Sequence, residues 1–311
     1  MRSFCYLYGP VPSRRLGRSL GIDLIPRKIC TYNCIYCQIG RTTKRTLLRK
    51  EYVSEKEVLD EVSAFFREGE TSVDYLSLSG SGEPTLHSKI RSIIKGIKEI
   101  TQIPVAVITN GSLLWKKSVR EDLLQADVVL PSLNGVSPEV FRKINRFHKD
   151  LSAKKVIEGM VEFRKIYRGK IWLEILFCRG VNDTPDELQR LKEAIEQIRP
   201  DLIHLNTVVR PPSEDWVKPL TRGEMEEIAA FFGDKASIIS EFNRHLTYIT
   251  SEDVKDGILR ILKRRPLSLS DLSTWMGIPQ EELRKEVASL SQEGKIQTRP
   301  HGNSIFFEIK S

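Results

Sequence analysis

The chain has 311 residues, 40% of them apolar and 29% charged, with a formal charge of +8. That length allows one large domain plus a small one, with the composition of a globular protein. No stretch approaches the roughly 18 uninterrupted apolar residues of a membrane helix, and MRSFCYLYGPVPSRR lacks a secretory signal, so a cytoplasmic protein is expected.

The charge is unevenly placed. Residues 1–50 carry eleven Lys/Arg against the single acidic Asp23, whereas residues 251–311 carry ten basic and nine acidic side chains. The basic start could attract an anionic substrate or nucleic acid, or could be plain solvated surface. Within it, GPVPS (Gly9 to Ser13) reads as a rigid, turn-prone segment before Arg14, Arg15 and Arg18. Their guanidinium forks suit carboxylate or phosphate, which makes them candidates for the anionic part of a substrate or cofactor. The plainer alternative is surface salt bridges.

Six apolar runs then alternate with segments of helical period. The runs start at Ser19, Val73, Ile103, Asp127, Ile171 and Leu202, with helices expected at 54–68, 87–99, 115–124, 137–145, 152–167 and 184–197. Five runs are nearly continuously apolar, as strands covered on both faces should be. Ser54 with Glu57 reads as a capping box, and Thr184-Pro185 as a cap before a proline in the first helical turn. This alternation predicts an α/β fold with a parallel sheet and right-handed crossovers. Gly80 to Glu83, Asn110, Asn134, Arg179 and Arg210 follow or close predicted strands, at the end where such sheets place their sites.

Beyond residue 212 a helix is expected at 221–232, then short strands or linker to 250. From 251 the order is helix (Glu252 to Arg265), short helix ending at Gly277, longer helix from Pro279 to Gly294, then a hairpin around His301-Gly302-Asn303. That is the order of a winged helix, but the third helix mixes Glu281, Glu282 and Glu286 with Arg284 and Lys285 and lacks a dense basic face. A regulatory or substrate-docking module that recruits a macromolecular partner is expected rather than a sequence-specific DNA reader. The division is therefore 1–212, 213–250 and 251–311.

CTYNCIYC places Cys30, Cys34 and Cys37 within one loop after the first parallel strand. Three clustered thiols suit a reducing compartment and a metal centre. Structural zinc wants four protein ligands, whereas three cysteines match a [4Fe–4S] cube with one iron open to a non-protein ligand. Zinc and buried or redox-active cysteines stay open on spacing alone. Cys178 closes its strand and could face the mouth of the fold, or be a small buried hydrophobe. The five histidines form no metal-binding spacing.

The C-x₃-C-x₂-C spacing resembles the signature of the radical S-adenosylmethionine (radical SAM) superfamily, and other segments resemble it too. Tyr36 precedes the last cysteine, and Gly80-Ser81-Gly82-Glu83 is similar to the family's glycine–glycine–glutamate segment, with Ser81 in place of a glycine. Ser132 and Asn134 match positions where polar side chains approach the ribose, and Glu174 lies in the next strand. The opening from Gly9 resembles a branch distantly related to the tRNA wyosine-base synthases.

The resemblance spans residues 8–212 and implies a partial (β/α)₆ barrel, one [4Fe–4S] cluster on Cys30, Cys34 and Cys37, and S-adenosylmethionine near Tyr36, Gly80, Gly82, Glu83, Ser132 and Asn134. It also implies reductive cleavage to a 5′-deoxyadenosyl radical, fed by a reducing electron donor. Arg14, Arg15, Arg18, Asn110, Glu174, Cys178 and Arg210 are then the substrate-side candidates. The same chemistry on an RNA base is one alternative. A cluster-based redox sensor that binds DNA through residues 251–311 is another.

Overall fold

The computed structural model describes residues 4–67, 72–239, 254–263, 265–302 and 304–310. The chain opens with the antiparallel pair β1 (Leu7–Ser13) and β2 (Gly17–Ile22). Short strands β3 (Ile29–Cys30) and β4 (Lys44–Arg45) follow, then α1 (Glu55–Arg67), β5 (Tyr75–Leu78), a 3-10 turn at Pro84–Leu86 and α2 (Ile90–Ile100). Next come β6 (Val105–Thr109), α3 (Lys117–Asp122), β7 (Val128–Pro131), α4 (Pro138–Asn145), α5 (Ala153–Ile166), β8 (Lys170–Phe177) and α6 (Pro185–Ile198). The alternation ends with β9 (Leu202–Thr207), α7 (Arg222–Phe232) and β10 (Ala236–Ile238). The tail contains α8 (Val254–Leu262), β11 (Leu267–Ser268), α9 (Leu269–Met276), α10 (Gln280–Gln292), β12 (Ile296–His301) and β13 (Ser304–Ile309).

All six expected parallel strands form, in one eight-stranded sheet ordered β1-β2-β5-β6-β7-β8-β9-β10. Every neighbouring pair from β2 to β10 is parallel. Side chains alternate between two buried faces. Leu76, Val105, Val107, Val129, Leu173 and Ile175 pack outward under the helices, whereas Tyr75, Ala106, Ile108, Val128, Leu130 and Trp172 form a separate inner cluster. α2 presents Ile90, Ile93, Ile94 and Ile97, a 3.6-residue stripe, to the outer core. Thr184 caps α6 with Pro185 in the first turn, as expected.

The first capping signature turned out half-formed. Ser54 Oγ accepts from the Glu57 amide at 3.4 Å, but the Glu57 carboxylate instead receives the Tyr6 hydroxyl at 2.6 Å. The segment from Gly9 to Ser13 is a strand, not the turn its prolines suggested. It runs along the sheet edge, where missing proline N–H groups cost no ladder bond, and its pairing shifts register between Tyr8 and Val11. Gly9 has φ +102°, and a Cβ there would lie 2.6 Å from the Val11 nitrogen, so the shift needs a glycine.

The β1–β2 turn folds into the sheet's concave face, where Leu16 is 1% exposed among Ala106, Val128, Leu130 and Trp172. The tail has its own apolar cluster, including Ile258, Leu272, Trp275, Leu283 and Leu290, but that cluster also takes in Val11 of β1. β11 and β12 both pair with β13, giving a three-stranded sheet that sequence periodicity did not show. Arg299 Nη2 donates to Pro212 O at 2.8 Å, and His301 Nε2 lies 3.0 Å from Val208 O. The tail thus reaches from the β1 edge to the segment after β9. The expected helix start at Glu252 lies outside the described residues. Among the described residues no helix is long and apolar enough to cross a membrane.

Leu16 is the apolar plug of the inner face. Leu16→Ala should destabilise the fold by about 2–5 kcal/mol through the cavity it leaves. A urea denaturation midpoint equal to wild type would show that the turn is not anchored there.

Candidate functional site

The three clustered cysteines lie on the loop that leaves β2, at the carboxyl end of the sheet. Cys30 ends β3, and Cys34 and Cys37 follow; all three side chains are half-buried. Three other segments hold this loop by backbone bonds. The amides of Asn33 and Ile35 donate to the last carbonyls of α4, Asn145 and Ile144, both at 3.0 Å. The Glu214 amide donates to Ile35 O, and Ser213 Oγ to Cys34 O and Ile35 O. His148 N donates to Thr31 O. Burial pushes the Cys30 thiol up to about 12 and the Cys34 thiol well above its ordinary range, with the neighbouring cysteines adding repulsion.

Polar hydrogens surround the sulfurs. Asn110 Nδ2 lies 3.5 Å from Cys30 Sγ and donates to Thr31 Oγ1 at 2.8 Å. Lys28 Nζ lies 3.5 Å from Cys37 Sγ and also reaches Gly40 O. Lys28 is 7% exposed, and its backbone adopts φ +68°, which lets its amide meet Ser81 O at 2.8 Å while its carbonyl accepts from Thr43 and Lys44.

The loop leaving β5 lies directly against this hub. Gly80 has φ +138°, and a Cβ there would fall 2.6 Å from the Asp23 carboxyl carbon; a Cβ on Gly82 would fall 2.1 Å from Ile29 O. Ser81 is buried, its amide and hydroxyl both bound to Asp23, at 3.1 and 2.5 Å. Glu83 is 2% exposed. Its Oε1 accepts from Thr85 Oγ1 and Thr109 Oγ1, both at 2.5 Å, and its Oε2 from Asn110 N at 2.7 Å. Burial raises its pKa, and these three donors, with Thr85 N, pull it back. Glu83 therefore positions Asn110, and through it the environment of Cys30.

Tyr36 and Asn134 meet. Asn134 Nδ2 donates to Tyr36 Oη at 2.6 Å while its Oδ1 accepts from Leu176 N at 2.8 Å, which fixes the tyrosine ring across β7 and β8. Ser132 bridges to Glu174 through the backbone and is half-exposed.

Below this, the sheet's inner face carries a charged layer. Arg15 pairs with Glu174, which also accepts from Asn206 Nδ2 at 3.1 Å; Asn206 Oδ1 accepts from Arg14 Nη1 at 2.9 Å. His204 stands beside the Trp172 ring, with ring centres 5.5 Å apart. Burial, with Arg15 adding, lowers His204 to about 4, so its imidazole is neutral at pH 7.

Residues 24–206, more than half of the chain, match the family model described as "Radical SAM superfamily". The chain belongs to the radical SAM superfamily. A UPF0026 protein of Methanocaldococcus jannaschii is 34% identical over 315 residues, covering 98% of this chain and 96% of the relative. A "GTPase Obg" of Brachyspira hyodysenteriae is 35% identical over 298 residues, 94% of this chain, but the chain spans only 43% of that relative's length. In fold, the chain resembles the structure of TYW1 with a lysine–pyruvate adduct bound, at TM-score 0.52 and 20% identity over 71% of this chain and 74% of that one. The sequence resemblance is thus matched at the level of family and fold, and the largely parallel sheet agrees with a radical SAM partial barrel.

Membership makes this chain an enzyme and supports reductive cleavage of S-adenosylmethionine; the superfamily typically uses a [4Fe–4S] cluster. The donor set fits such a group. Three thiols share one loop held from several sides, and N–H donors lie beside two of the sulfurs. Among the described residues no three His, Cys, Asp or Glu side chains converge on a single ion position. A cube spreads its thiolates over different irons, so three cysteines suit it better than they suit one zinc.

The structure thus divides the predicted residues into two groups. Cys30, Cys34, Cys37, Tyr36, Gly80, Gly82, Glu83, Asn110 and Asn134 gather at the strand ends, and Arg14, Arg15 and Glu174 in the lumen below. Arg210 lies beyond β9, 3.7 Å from Asp271 of α9. Arg18 departs from its neighbours, its amide bound to the Asp74 carboxylate at 2.7 Å. Cys178 is fully buried with Ile35 and Val181, and burial pushes its thiol up to about 12, the environment of a small hydrophobe. Sequence reasoning passed over Lys28 and gave Asp23 no role. Asp23 had left a signal, as the one carboxylate among eleven cations in residues 1–50.

Two expectations follow from this radical SAM site. Gly82→Ala places a methyl against Ile29 O, at a cost of about 1–3 kcal/mol, and should lower the iron retained after reconstitution. Iron per chain equal to wild type would mean the two loops part without loss. As pH falls below about 6.5 the unfolded chain takes up the His204 proton before the folded one does. Stability should therefore be full above that pH and decline toward pH 4, by on the order of 2 kcal/mol. His204→Gln should flatten the decline, and urea midpoints between pH 4 and 7 with an unchanged slope would contradict it.

Proposed function

We propose that Cys30, Cys34 and Cys37 hold one [4Fe–4S] cluster with which this chain reductively cleaves S-adenosylmethionine, yielding a 5′-deoxyadenosyl radical that takes a hydrogen atom from a substrate in the lumen. One observation carries this reading: the three-cysteine loop is pinned at the carboxyl end of the parallel sheet, with Asn110 and Lys28 beside its sulfurs. Burial keeps the Cys30 and Cys34 thiols protonated until iron binds, so loading should release protons.

The chain's residues then bind, orient and exclude water. Gly80 and Gly82 bring bare backbone to the cluster loop, where the methionine end of S-adenosylmethionine would lie. Tyr36, locked by Asn134, and the half-exposed Ser132 would flank the remainder of that molecule. Glu83 acts at one remove, by holding Thr109 and Asn110. Glu174, Asn206, Arg14 and Arg15 form the polar layer a substrate would meet. A reducing electron donor must supply one electron per cleavage.

The tail is read as a winged-helix-like cap over residues 251–311 that closes the open side of the sheet. Arg299 and His301 of β12 are spent on residues 208–215, and the exposed face of α10 alternates in sign. Both features favour a cap over a DNA reader. The exposed Arg27, Arg41, Lys44 and Arg45 near the cysteine loop favour a second reading, the same chemistry on an RNA base.

Anaerobically reconstituted protein should show a reducible iron–sulfur absorption and form 5′-deoxyadenosine from S-adenosylmethionine with dithionite. Cys30→Ala, Cys34→Ala and Cys37→Ala should each lower bound iron and abolish that product, while Cys5→Ala leaves both unchanged. Negligible iron in the wild type after reconstitution would sink the reading.

A further inference from the structure

Lys28 is buried in a conformation that its residue type resists. Its backbone has φ +68°, a left-handed value uncommon outside glycine. The other non-glycine residues with positive φ among the described residues, Arg146 and Arg199, end α4 and α6, where that conformation is ordinary. Lys28 ends no helix, and it is 7% exposed. Holding an ammonium out of water and the backbone in this region both cost free energy, which the surrounding contacts must offset. A glycine would adopt the same backbone without strain. What a lysine adds here is its side chain.

That side chain spans the turn that follows Cys37. Its Nζ donates to Gly40 O and lies 3.5 Å from Cys37 Sγ, and the Gly40 amide closes the turn on Cys37 O at 3.0 Å. The main chain of Lys28 is fixed on two further sides, by Ser81 O at 2.8 Å and by the amides of Thr43 and Lys44 at 3.0 and 3.1 Å. The ammonium is therefore aimed at one sulfur from an anchored base. The three cysteine sulfurs are not treated alike. Asn110 offers Cys30 a neutral amide at 3.5 Å, and Cys34 Sγ lies 3.9 Å from Asn145 Oδ1, an acceptor, whereas Cys37 meets a full positive charge.

We propose that Lys28 is a positioning residue that acts through Cys37 to raise the reduction potential of the cluster, bringing its one-electron reduction within reach of the electron donor. The inference rests on the cluster reading given above. Reduction moves one electron from the donor to the cluster, whose charge becomes one unit more negative, while Lys28 keeps its proton. A fixed positive charge donating toward a ligand sulfur favours that reduced form, because cluster potentials follow net charge and hydrogen bonds to the sulfurs. Burial strengthens the effect, since little water lies between the ammonium and the sulfur to screen them. The rival role is a peg that holds the Cys37 turn in shape for iron. A peg predicts lost iron, and a potential unchanged in whatever cluster remains.

The test is anaerobic redox titration of the reconstituted full-length protein, followed by the electron paramagnetic resonance of the reduced cluster. Lys28→Met keeps an apolar stem and loses the amine, whereas Lys28→Gly also relieves the backbone. Both should hold iron at the wild-type level, and both should lower the potential by the same amount. At a fixed potential the ratio of reduced to oxidised cluster should fall about tenfold, equivalent to about 60 mV, the effect of one charge-assisted hydrogen bond. Lys50→Gln, which removes an exposed cation further along the chain, should leave the potential unchanged. A wild-type potential in either amine-free variant, or a like shift in Lys50→Gln, would overturn the proposal. Unequal shifts in Lys28→Met and Lys28→Gly would trace the effect to the backbone and overturn it too. Loss of iron from both would make Lys28 a peg, and where one variant alone loses iron, the potential of the other decides. Negligible iron in the wild type sinks the cluster reading instead, so the two failures are told apart.

Discussion

The close approach of two backbones organises this site. The loop leaving β5 presses so near the loop leaving β2 that Gly82 leaves no room for a methyl group against Ile29 O. The contact is held by Asp23, which receives Ser81 through both its amide and its hydroxyl, and by the Lys28 amide on Ser81 O. Glu83, at the far end of the same loop, ties Thr109 and Asn110 to it, and Asn110 in turn faces Cys30. A carboxylate 2% exposed is tolerable only because nearby donors satisfy it. Truncating Glu83 would take this acceptor from the Thr85 and Asn110 amides at once.

The lumen is layered by the period-two alternation of β8 and β9. Trp172 belongs to the apolar floor that Leu16 plugs, Glu174 to the charged layer with Asn206, and Leu176 to the cluster under Tyr36. Outward-facing Ile171, Leu173 and Ile175 pack under the helices. One strand thus serves floor, charge and roof in turn, and each layer inherits its height from the strand register. The β1–β2 turn sends Leu16 down to the floor and Arg14 and Arg15 up to the charged layer.

The tail joins this arrangement physically. Its apolar cluster includes Val11, its β12 strand bonds residues 208–215, and Asp271 stands 3.7 Å from Arg210. An open sheet has two exposed edges, and covering one with another element is the usual remedy. Here the covering element also brings charge.

The parallel sheet, its helices and the cysteine loop were legible from sequence because they rest on local signals. Continuous apolar runs, Thr184-Pro185 and the spacing of Cys30, Cys34 and Cys37 act over a few residues. The edge strand through Gly9 to Ser13 was missed because its prolines and glycine are turn signals that an edge with a register shift also accepts. Tertiary structure alone decided that Glu83 supports Asn110 rather than standing free, that Cys178 is buried, and that Arg18 parts from Arg14 and Arg15. It also brought Asp271 of the tail to within 3.7 Å of Arg210. Sequence determines which thiols and guanidinium groups exist and which elements carry them. Which of them meet is settled by strand register and by packing between distant segments, and neither is written in any local pattern.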